Sequence, residues 1–371
     1  MVYLDNAATT RYIPAAVIKE YIARISAKCN PSRGSYRDAV ELGLNVYRVR
    51  ESIKRHLNAP SHEVVFCKNC TEALNLGILG YLSERGGRVV TTVTEHNSVL
   101  RPLRYLEQKG KIRYTAVSPS KRGEGVRSSD VAAAISSDVR LVVVNAVSNV
   151  TGIPNDIEGI GALCSQKGIP FLVDGAQGLG HLPLNVAKCG IDMLAAPAHK
   201  GLHGLQGGFL LTNRQDLTPL LYGGTGTKSL SLEQPLGVEG WEAGTQDNAG
   251  ICALGKGVEW TYRHLDKIRT HEDKLIGYLS DELTRMGEVK AYGYGNGILA
   301  FALRGAPSSW VGDRLDEMGI AVRVGLHCAP LMHRYLGTTK EGLVRVSVGY
   351  DTATRDIDRL LYALDSLLAE R

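Results

Sequence analysis

The sequence predicts an α/β protein: a large domain with a mainly parallel sheet covered by helices, and a smaller α+β domain. Three observations carry this. From about residue 60 to 212, near-continuous Val/Leu/Ile runs alternate with stretches of helical period, as in a sheet buried on both faces. One long helical pattern then covers 248–287, and beyond it come short strands and a last helix. The chain of 371 residues is also too long for one small core, and fits two domains or one large domain with an appendage.

Each element has its own warrant. "EVVFCKN" (63–69) is β-branched and apolar, hence a strand; "TEALNLGILGYLSE" (71–84) places Leu74, Ile78 and Leu82 on one helical face. "GRVVTTVTEH" (87–96) reads as a strand, and "VLRPLRYLEQKG" as a helix stopped by Gly110. "VRLVVVNAVSN" (139–149) is a strand, "DIEGIGALCSQKG" a helix, and "IPFLVDGAQ" (169–177) another strand. After the long helix, "GILAFAL" (297–303) and "LVRVSVG" (343–349) read as strands and "ATRDIDRLLYALDSLLAE" as the final helix. "YGGTGTKSLSLEQPLGVEG" (222–240) is the one long loop, a length usually functional or mobile. Neither an internal repeat nor a low-complexity tract interrupts the chain.

Composition narrows the function classes. Hydrophobic content of 44% and charged content of 22% are those of a globular protein. The net charge of +5 comes from cations scattered through helical patterns such as "VIKEYIARISAK", with no basic run, which argues against direct nucleic-acid binding. The start "MVYLDNAATT" does not read as a signal peptide, and no apolar run reaches the roughly 18 residues of a membrane span, so a cytoplasmic protein is expected. Seven cysteines in that setting are expected to be reduced.

In an open parallel sheet, ligands bind at the carboxyl ends of strands. Polar groups collect there: Thr71, His96, Asn149, Asp174, Gln177, His199 and Lys200. Thr71 and the free amides of a helix start form an anion site. Asp174, after "FLV", needs a cationic partner if buried, and a protonated pyridine nitrogen is one. His96 offers a flat ring for stacking. Lys200, in "DMLAAPAHKGLHGLQGG", is either a solvated turn residue or a confined, nucleophilic amine. Phosphate, pyridinium and aldehyde together describe pyridoxal 5'-phosphate (PLP).

The segments "YLDNAATT", "NPSRGSYR", "TEALN", "TEHNS", "SNVTG", "VDGAQGLGHLPLNV", "AHKG", "EAGT", "GLHCAP" and "VRVSVGYDT" follow in order along nearly the whole chain. Together they resemble the class V aminotransferases, specifically the cysteine desulfurase and selenocysteine lyase type with an "HCAP" segment. The resemblance implies PLP fold type I, with a large domain at 16–259 and a small one joining 1–15 to 260–371. It implies that Lys200 links to the cofactor aldehyde and shuttles the substrate α-proton. Asp174 would pair the pyridine nitrogen, Gln177 and Asn149 would face the phenolate oxygen, and His96 would stack on the ring and pass a proton to or from sulfur. The Cys70 amide, Thr71 and His199 would hold the phosphate, with Thr245 reaching it from the second subunit of a homodimer. Arg345, Asn6 and Arg323 would bind substrate, with Arg345 on its carboxylate. Cys328 would take sulfur from L-cysteine as a persulfide, L-alanine would leave, and an acceptor protein would collect the sulfur. Such acceptors serve iron–sulfur cluster assembly, tRNA thiolation or cofactor biosynthesis.

Two departures from the pattern stand out. Pro197 occupies the place of a phosphate-binding Ser or Thr three residues before the lysine, and Asn69 replaces a glycine of the phosphate loop. Fewer phosphate contacts and weaker cofactor retention are expected, with Asn69 tolerating left-handed geometry. Arg323 and His327 are expected to stabilise a Cys328 thiolate, although a cysteine in this setting can also be a small apolar filler. Cys67 and Cys70 spell C-x-x-C, a redox or half-zinc signature without a second half; small side chains under a cofactor are the other reading, and no metal site is expected. Selenocysteine in place of cysteine, or another class V transaminase, lyase or epimerase reaction, remains open, as does a thiol or metal scaffold.

Overall fold

The computed structural model describes residues 1–27, 29–31 and 34–370; Ser32 and Arg33 of the "NPSRGSYR" segment lie outside them. In chain order the elements begin with β1 (Val2–Tyr3), α1 (Ala15–Ala27) and α2 (Arg37–His56). Next come β2 (Glu63–Cys67), α3 (Cys70–Leu82), β3 (Gly87–Thr92), α4 (Asn97–Gln108), β4 (Ile112–Val117), α5 (Ser128–Ala132) and β5 (Val139–Asn145). They continue with α6 (Ile157–Lys167), β6 (Phe171–Asp174), β7 (Met193–Pro197), β8 (Gly208–Thr212), α7 (Val238–Trp241) and α8 (Asn248–Arg285). The last third holds β9 (Val289–Gly295), β10 (Ile298–Leu303), α9 (Ser308–Glu317), β11 (Ile320–Ala321), β12 (Arg323–Gly325), α10 (Pro330–Leu336), β13 (Leu343–Ser347) and α11 (Thr354–Ala369).

Seven strands form the central sheet in the order β2-β8-β7-β6-β5-β3-β4. All pairs not involving β8 are parallel, while β8 runs against both β7 and β2. The reversal has a simple cause. Only residues 198–207 join β7 to β8, fewer than the roughly dozen that a parallel crossover needs. The segment carrying Lys200 is that connection, so the lysine sits in a tight turn at the sheet's carboxyl edge. Apolar side chains cover both faces: Val144, Phe171, Val173 and Phe209 belong to one cluster, Val143, Leu172, Ala195 and Leu210 to the other. That explains why the strands read as unbroken apolar runs.

A separate antiparallel sheet, β12-β13-β10-β9, has its own core with α8, α9 and α11. The chain start belongs there too: β1 pairs β11, and Val2 and Leu4 pack beside Leu275 and Val346. Helix α8 serves both cores, with Ile251, Leu254 and Val258 in one and Leu275, Ile276, Leu279 and Leu283 in the other. The Asp247 carboxylate accepts from the Gly250 amide at 2.9 Å and starts this helix. Segment 222–240 is irregular until α7 begins, and Leu230 and Leu232 are fully exposed. No described helix is long and apolar enough to cross a membrane, and no described residues form a metal-ligating group.

Gly257 fixes where α8 meets the Lys200 turn. A methyl group there would lie 2.5 Å from the Leu202 carbonyl and 3.1 Å from the Gly204 amide. Gly277, on the same helix, has nothing within 4 Å. Gly257→Ala is expected to lower stability by about 1–3 kcal/mol through overpacking. Gly277→Ala is expected to be neutral or to stabilise by up to about 1 kcal/mol. Urea unfolding of both variants checks this, and equal effects would show that the close approach is not a constraint.

Candidate active site

One cavity lies at the carboxyl ends of β5, β6 and β7 and the start of α3. Cys70, Thr71, His96, Asn149, Asp174, Gln177, His199 and Lys200 all line it, together with Asn69, Ser98 and Pro197. A neighbouring groove shares Thr71, His96 and Ser98 with it and carries Cys328. Arg345 is buried on β13 behind Asn149, and Asn6 and Arg323 lie beside it. Thr245 stands apart on the surface, lining a separate cavity with Lys68, Glu72 and Gly208.

The Lys200 turn is stitched on both sides. Ala198 donates to the Gly207 carbonyl at 3.0 Å, His203 to that of Lys200 at 2.9 Å, and Thr10 to that of His199 at 3.0 Å. Lys200 is enclosed apart from the surface that faces the cavity. Burial pushes its amine below the usual lysine range, although Cys70 and Asp174 pull the other way. Of the two readings of Lys200, the confined one therefore holds. The glycines that follow divide the work. A methyl on Gly201 would lie 2.2 Å from the Leu179 carbonyl, so this residue admits another turn, whereas one on Gly208 would lie 2.8 Å from the Cys70 amide, at the start of α3.

Asp174 ends β6 and is 4% exposed. Its Oδ1 accepts from the Ala176 amide at 2.9 Å and from the Cys70 thiol at 3.8 Å, and no described cation pairs with it. Burial and the Asp174 charge both push the Cys70 thiol well up, and burial does the same to Cys67. Both shifts favour the neutral thiol. Cys70 acts as a neutral donor under the site.

The anion end is built on α3. Asn69 caps the helix, its side chain accepting from Glu72 at 2.9 Å, and its φ of −167° is extended. The left-handed tolerance expected of Asn69 is therefore not called upon: the loop asks for an N-cap. The amides of Cys70 and Thr71 have no partner among the described residues, and first-turn amides point out of the helix start. The buried His199 Nδ1 is also unpartnered, and burial holds the imidazole below its ordinary range, hence neutral. Pro197 offers no donor. Ser98, which the sequence reading quoted in "TEHNS" without a role, lies close by, with its hydroxyl 3.1 Å from Thr71 Oγ1 and 2.7 Å from His96 Nδ1.

His96 caps α4, its Nδ1 accepting from the Ser98 amide at 3.0 Å. Burial lowers its basicity, so the ring is neutral with its proton on Nε2. Beneath it, Glu95 is wholly buried. Its Oε1 accepts from Thr92 at 2.6 Å and from the Asn145 amide at 2.9 Å, while Oε2 has no partner. Burial pushes Glu95 up to about 8. Asn149 and Gln177 each give one amide hydrogen to a backbone carbonyl, at 2.7 Å to His327 and 2.8 Å to Ala7, which leaves each a second hydrogen.

At the far end, Arg345 donates to the Asn149 carbonyl at 2.9 Å and to Asp5 at 3.1 Å, with Nε buried and unpartnered. Arg323 forks onto Asp5 at 2.8 and 3.0 Å. Asp5, in "YLDNAATT", pairs with both. The side chain of Asn6 donates to the Ser347 carbonyl at 3.1 Å and accepts from the Arg11 amide at 3.1 Å. It anchors the chain start. His327 needs a correction: burial and the Arg345 charge push it down to about 3, so it is neutral and supplies no positive charge to a thiolate. Cys328 is exposed, at φ +55° beside His327 at φ +48°.

A lysine, a buried carboxylate without a cation and a set of free amides lie together at the strand ends as a candidate cofactor site. The aminotransferase class-V signature matches residues 2–360, and the chain belongs to that family. A probable cysteine desulfurase of Methanothermobacter thermautotrophicus is 33% identical, covering 99% of this chain and 94% of that protein. A cysteine desulfurase of Yersinia pseudotuberculosis is 31% identical, covering 99% and 93%. The apo structure of the Thermococcus onnurineus cysteine desulfurase superposes with a TM-score of 0.91 at 29% identity, covering 100% of this chain and 95% of that one. The Escherichia coli cysteine desulfurase CsdA in its S-sulfonic acid form gives 0.88 at 26%, covering 99% and 94%. The family depends on PLP, and the donors fit it. The free α3 amides and the lone His199 nitrogen suit a phosphate, the cation-less Asp174 suits a pyridinium, and Lys200 suits the aldehyde.

Two outcomes follow. Glu95 has its pKa raised on folding, so its full contribution is present below about 4.5 and is lost as pH rises through about 8. The urea midpoint should therefore fall between pH 5 and 8 more steeply for the wild type than for Glu95→Gln, and equal slopes would refute the assignment. In titrations of apo protein, Ser98→Ala should weaken PLP binding about fivefold and Pro197→Ser should tighten it by a similar factor, each worth about one hydrogen bond. Unchanged affinities would exclude both positions from the cradle.

Proposed function

We propose that the protein is a PLP-dependent cysteine desulfurase that moves sulfur from L-cysteine to Cys328 and releases L-alanine. The observation that carries this reading is the placement of an exposed thiol in a groove that shares Thr71, His96 and Ser98 with the Lys200 cavity. Bound PLP supplies an electron sink conjugated to the substrate α-carbon. Asp174 would keep its ring nitrogen protonated, and His96 would lie against its ring.

The chain's own groups do the rest. Arg345 holds the substrate carboxylate through its bidentate fork, with Arg323 beside it. Lys200, its amine shifted toward the neutral form by burial, takes the proton from the substrate α-carbon. The Cys328 thiolate attacks the substrate sulfur. An S–S bond forms, the C–S bond breaks, and the electron pair stays with the carbon, which is protonated to give alanine. The His96 Nε2–H exchanges a proton at sulfur. The balance is one thiol and cysteine to one persulfide and alanine.

The loop that carries the thiol is short. Residues 326–329 lie between β12 and α10. The Cys328 carbonyl accepts from the Asn97 amide at 2.7 Å, that of His327 from Asn149, and Ala329 donates to Leu326 at 2.9 Å. A pinned thiol beside the cavity suits direct attack. Thr245 and the exposed Leu221, Tyr222 and Leu236 face outward, and in a homodimer Thr245 would reach the phosphate bound by the second subunit. Alanine released from L-cysteine with a reductant present tests the reading. The wild type should turn over, and Cys328→Ala should lose about 100-fold or more, the scale of a missing nucleophile. Alanine formed at equal rates by both would end the persulfide scheme.

A further inference from the structure

The pinned loop has a consequence for sulfur delivery, given the persulfide reading above. Sulfur on Cys328 cannot be carried outward by a swinging arm, so the acceptor must enter the groove. That groove has a volume of about 360 Å³ and runs from Cys328 along α4 past Asn97 and Arg101 to Tyr105. None of the residues lining it is acidic. Arg101 is exposed and makes no ion pair among the described residues, whereas its neighbour Arg104 is paired with Glu107 at 2.6 Å. Lys109 lies over the Tyr105 ring at 5.8 Å and adds to the positive rim. His96, the other ionisable base of the groove, is neutral. From Asn97 to Tyr105 the helix advances about 12 Å, the length of three or four extended residues. A small thiol would fill only the Cys328 end.

We infer that this groove receives an extended segment of an acceptor protein whose cysteine is flanked by carboxylates, and that Arg101 pairs with one of them. The transfer balances without an added oxidant or reductant. The acceptor thiolate attacks the outer sulfur of the Cys328 persulfide, a new S–S bond forms, the old one breaks, and Cys328 leaves as thiolate. Flanking carboxylates by themselves disfavour an acceptor thiolate. A preference for an acidic acceptor would therefore report recognition and not intrinsic reactivity.

The test uses PLP-loaded enzyme charged with L-cysteine and freed of excess substrate. The persulfide on Cys328 is first quantified by mass for wild type, Arg101→Ala and Arg101→Glu. Single-turnover discharge is then followed to two short peptides, one with aspartates and one with lysines beside the cysteine. The wild type should discharge to the acidic peptide about fivefold faster, Arg101→Ala should lose that preference, and Arg101→Glu should reverse it, the scale of an exposed ion pair. Equal rates to both peptides in the wild type, or a preference unchanged in both variants, would overturn the inference. A wild type that never gains sulfur on Cys328 would overturn the desulfurase reading at the loading step, and the inference with it.

Discussion

Asp174 is a carboxylate at the end of a central strand, shielded from water and left without a cation. Such a group is costly unless something positive arrives to meet it. The surroundings are arranged around that debt of charge. Lys200 is driven toward its neutral form, Cys70 keeps its proton, and His96 and His199 are held neutral by burial. None of them supplies a full neutralising charge. A cofactor with a protonated ring nitrogen does, and the β5-β6-β7 register places its other contacts within reach, with Asn145 opposite Asp174 and Asp174 opposite Ala195.

The second constraint is the chain start. Residues 2–10 run from the smaller sheet to the cavity floor. Val2 and Tyr3 pair with β11, Asp5 holds Arg323 and Arg345, and Asn6 is bonded to the Ser347 carbonyl. The Ala7 carbonyl then accepts from Gln177, and Thr10 donates to His199. One short segment thus links the arginines on β12 and β13 to two residues that line the Lys200 cavity. Asp5 also offsets part of the repulsion between the two arginines, which stand at register positions directly opposite. Their forks are preset before any carboxylate binds, which lowers the ordering cost of binding it.

Legibility in the sequence followed the length scale of each signal. The central strands were readable because burial on both faces leaves unbroken apolar runs, and α6 was readable because Asp156 and Gly168 cap it in the expected places. The reversed β8 was not, since strand direction is set by the brevity of the 198–207 connection and not by any residue in the strand. Site residues with distinctive chemistry, such as Lys200 and Asp174, stood out at strand ends. Ser98 and Asp5 did not, because each acts through partners distant in sequence: Thr71 for one, Arg323 and Arg345 for the other. His327 was misjudged for the same reason. Its neutrality comes from burial and from Arg345, neither of which neighbours it in the chain.

These features together divide the site into a preset half and a receptive half. Arg345 and Arg323 are already paired, Glu95 lies closed beneath His96, and the Cys328 loop is tied to Asn97 and Asn149. None of these groups must reorganise before a ligand binds. The receptive groups are the α3 amides, the His199 nitrogen and the Arg345 Nε, which lack partners among the described residues, and the Asp174 carboxylate, which lacks a cation. Each is a donor or an acceptor whose desolvation is already borne by the fold, so a ligand that satisfies it gains more than the same contact would give in water. The one group placed outside this scheme is the Cys328 thiol. It sits at a left-handed backbone position that non-glycine residues seldom adopt, and the ties on either side hold it there, between the enclosed chemistry and the open groove.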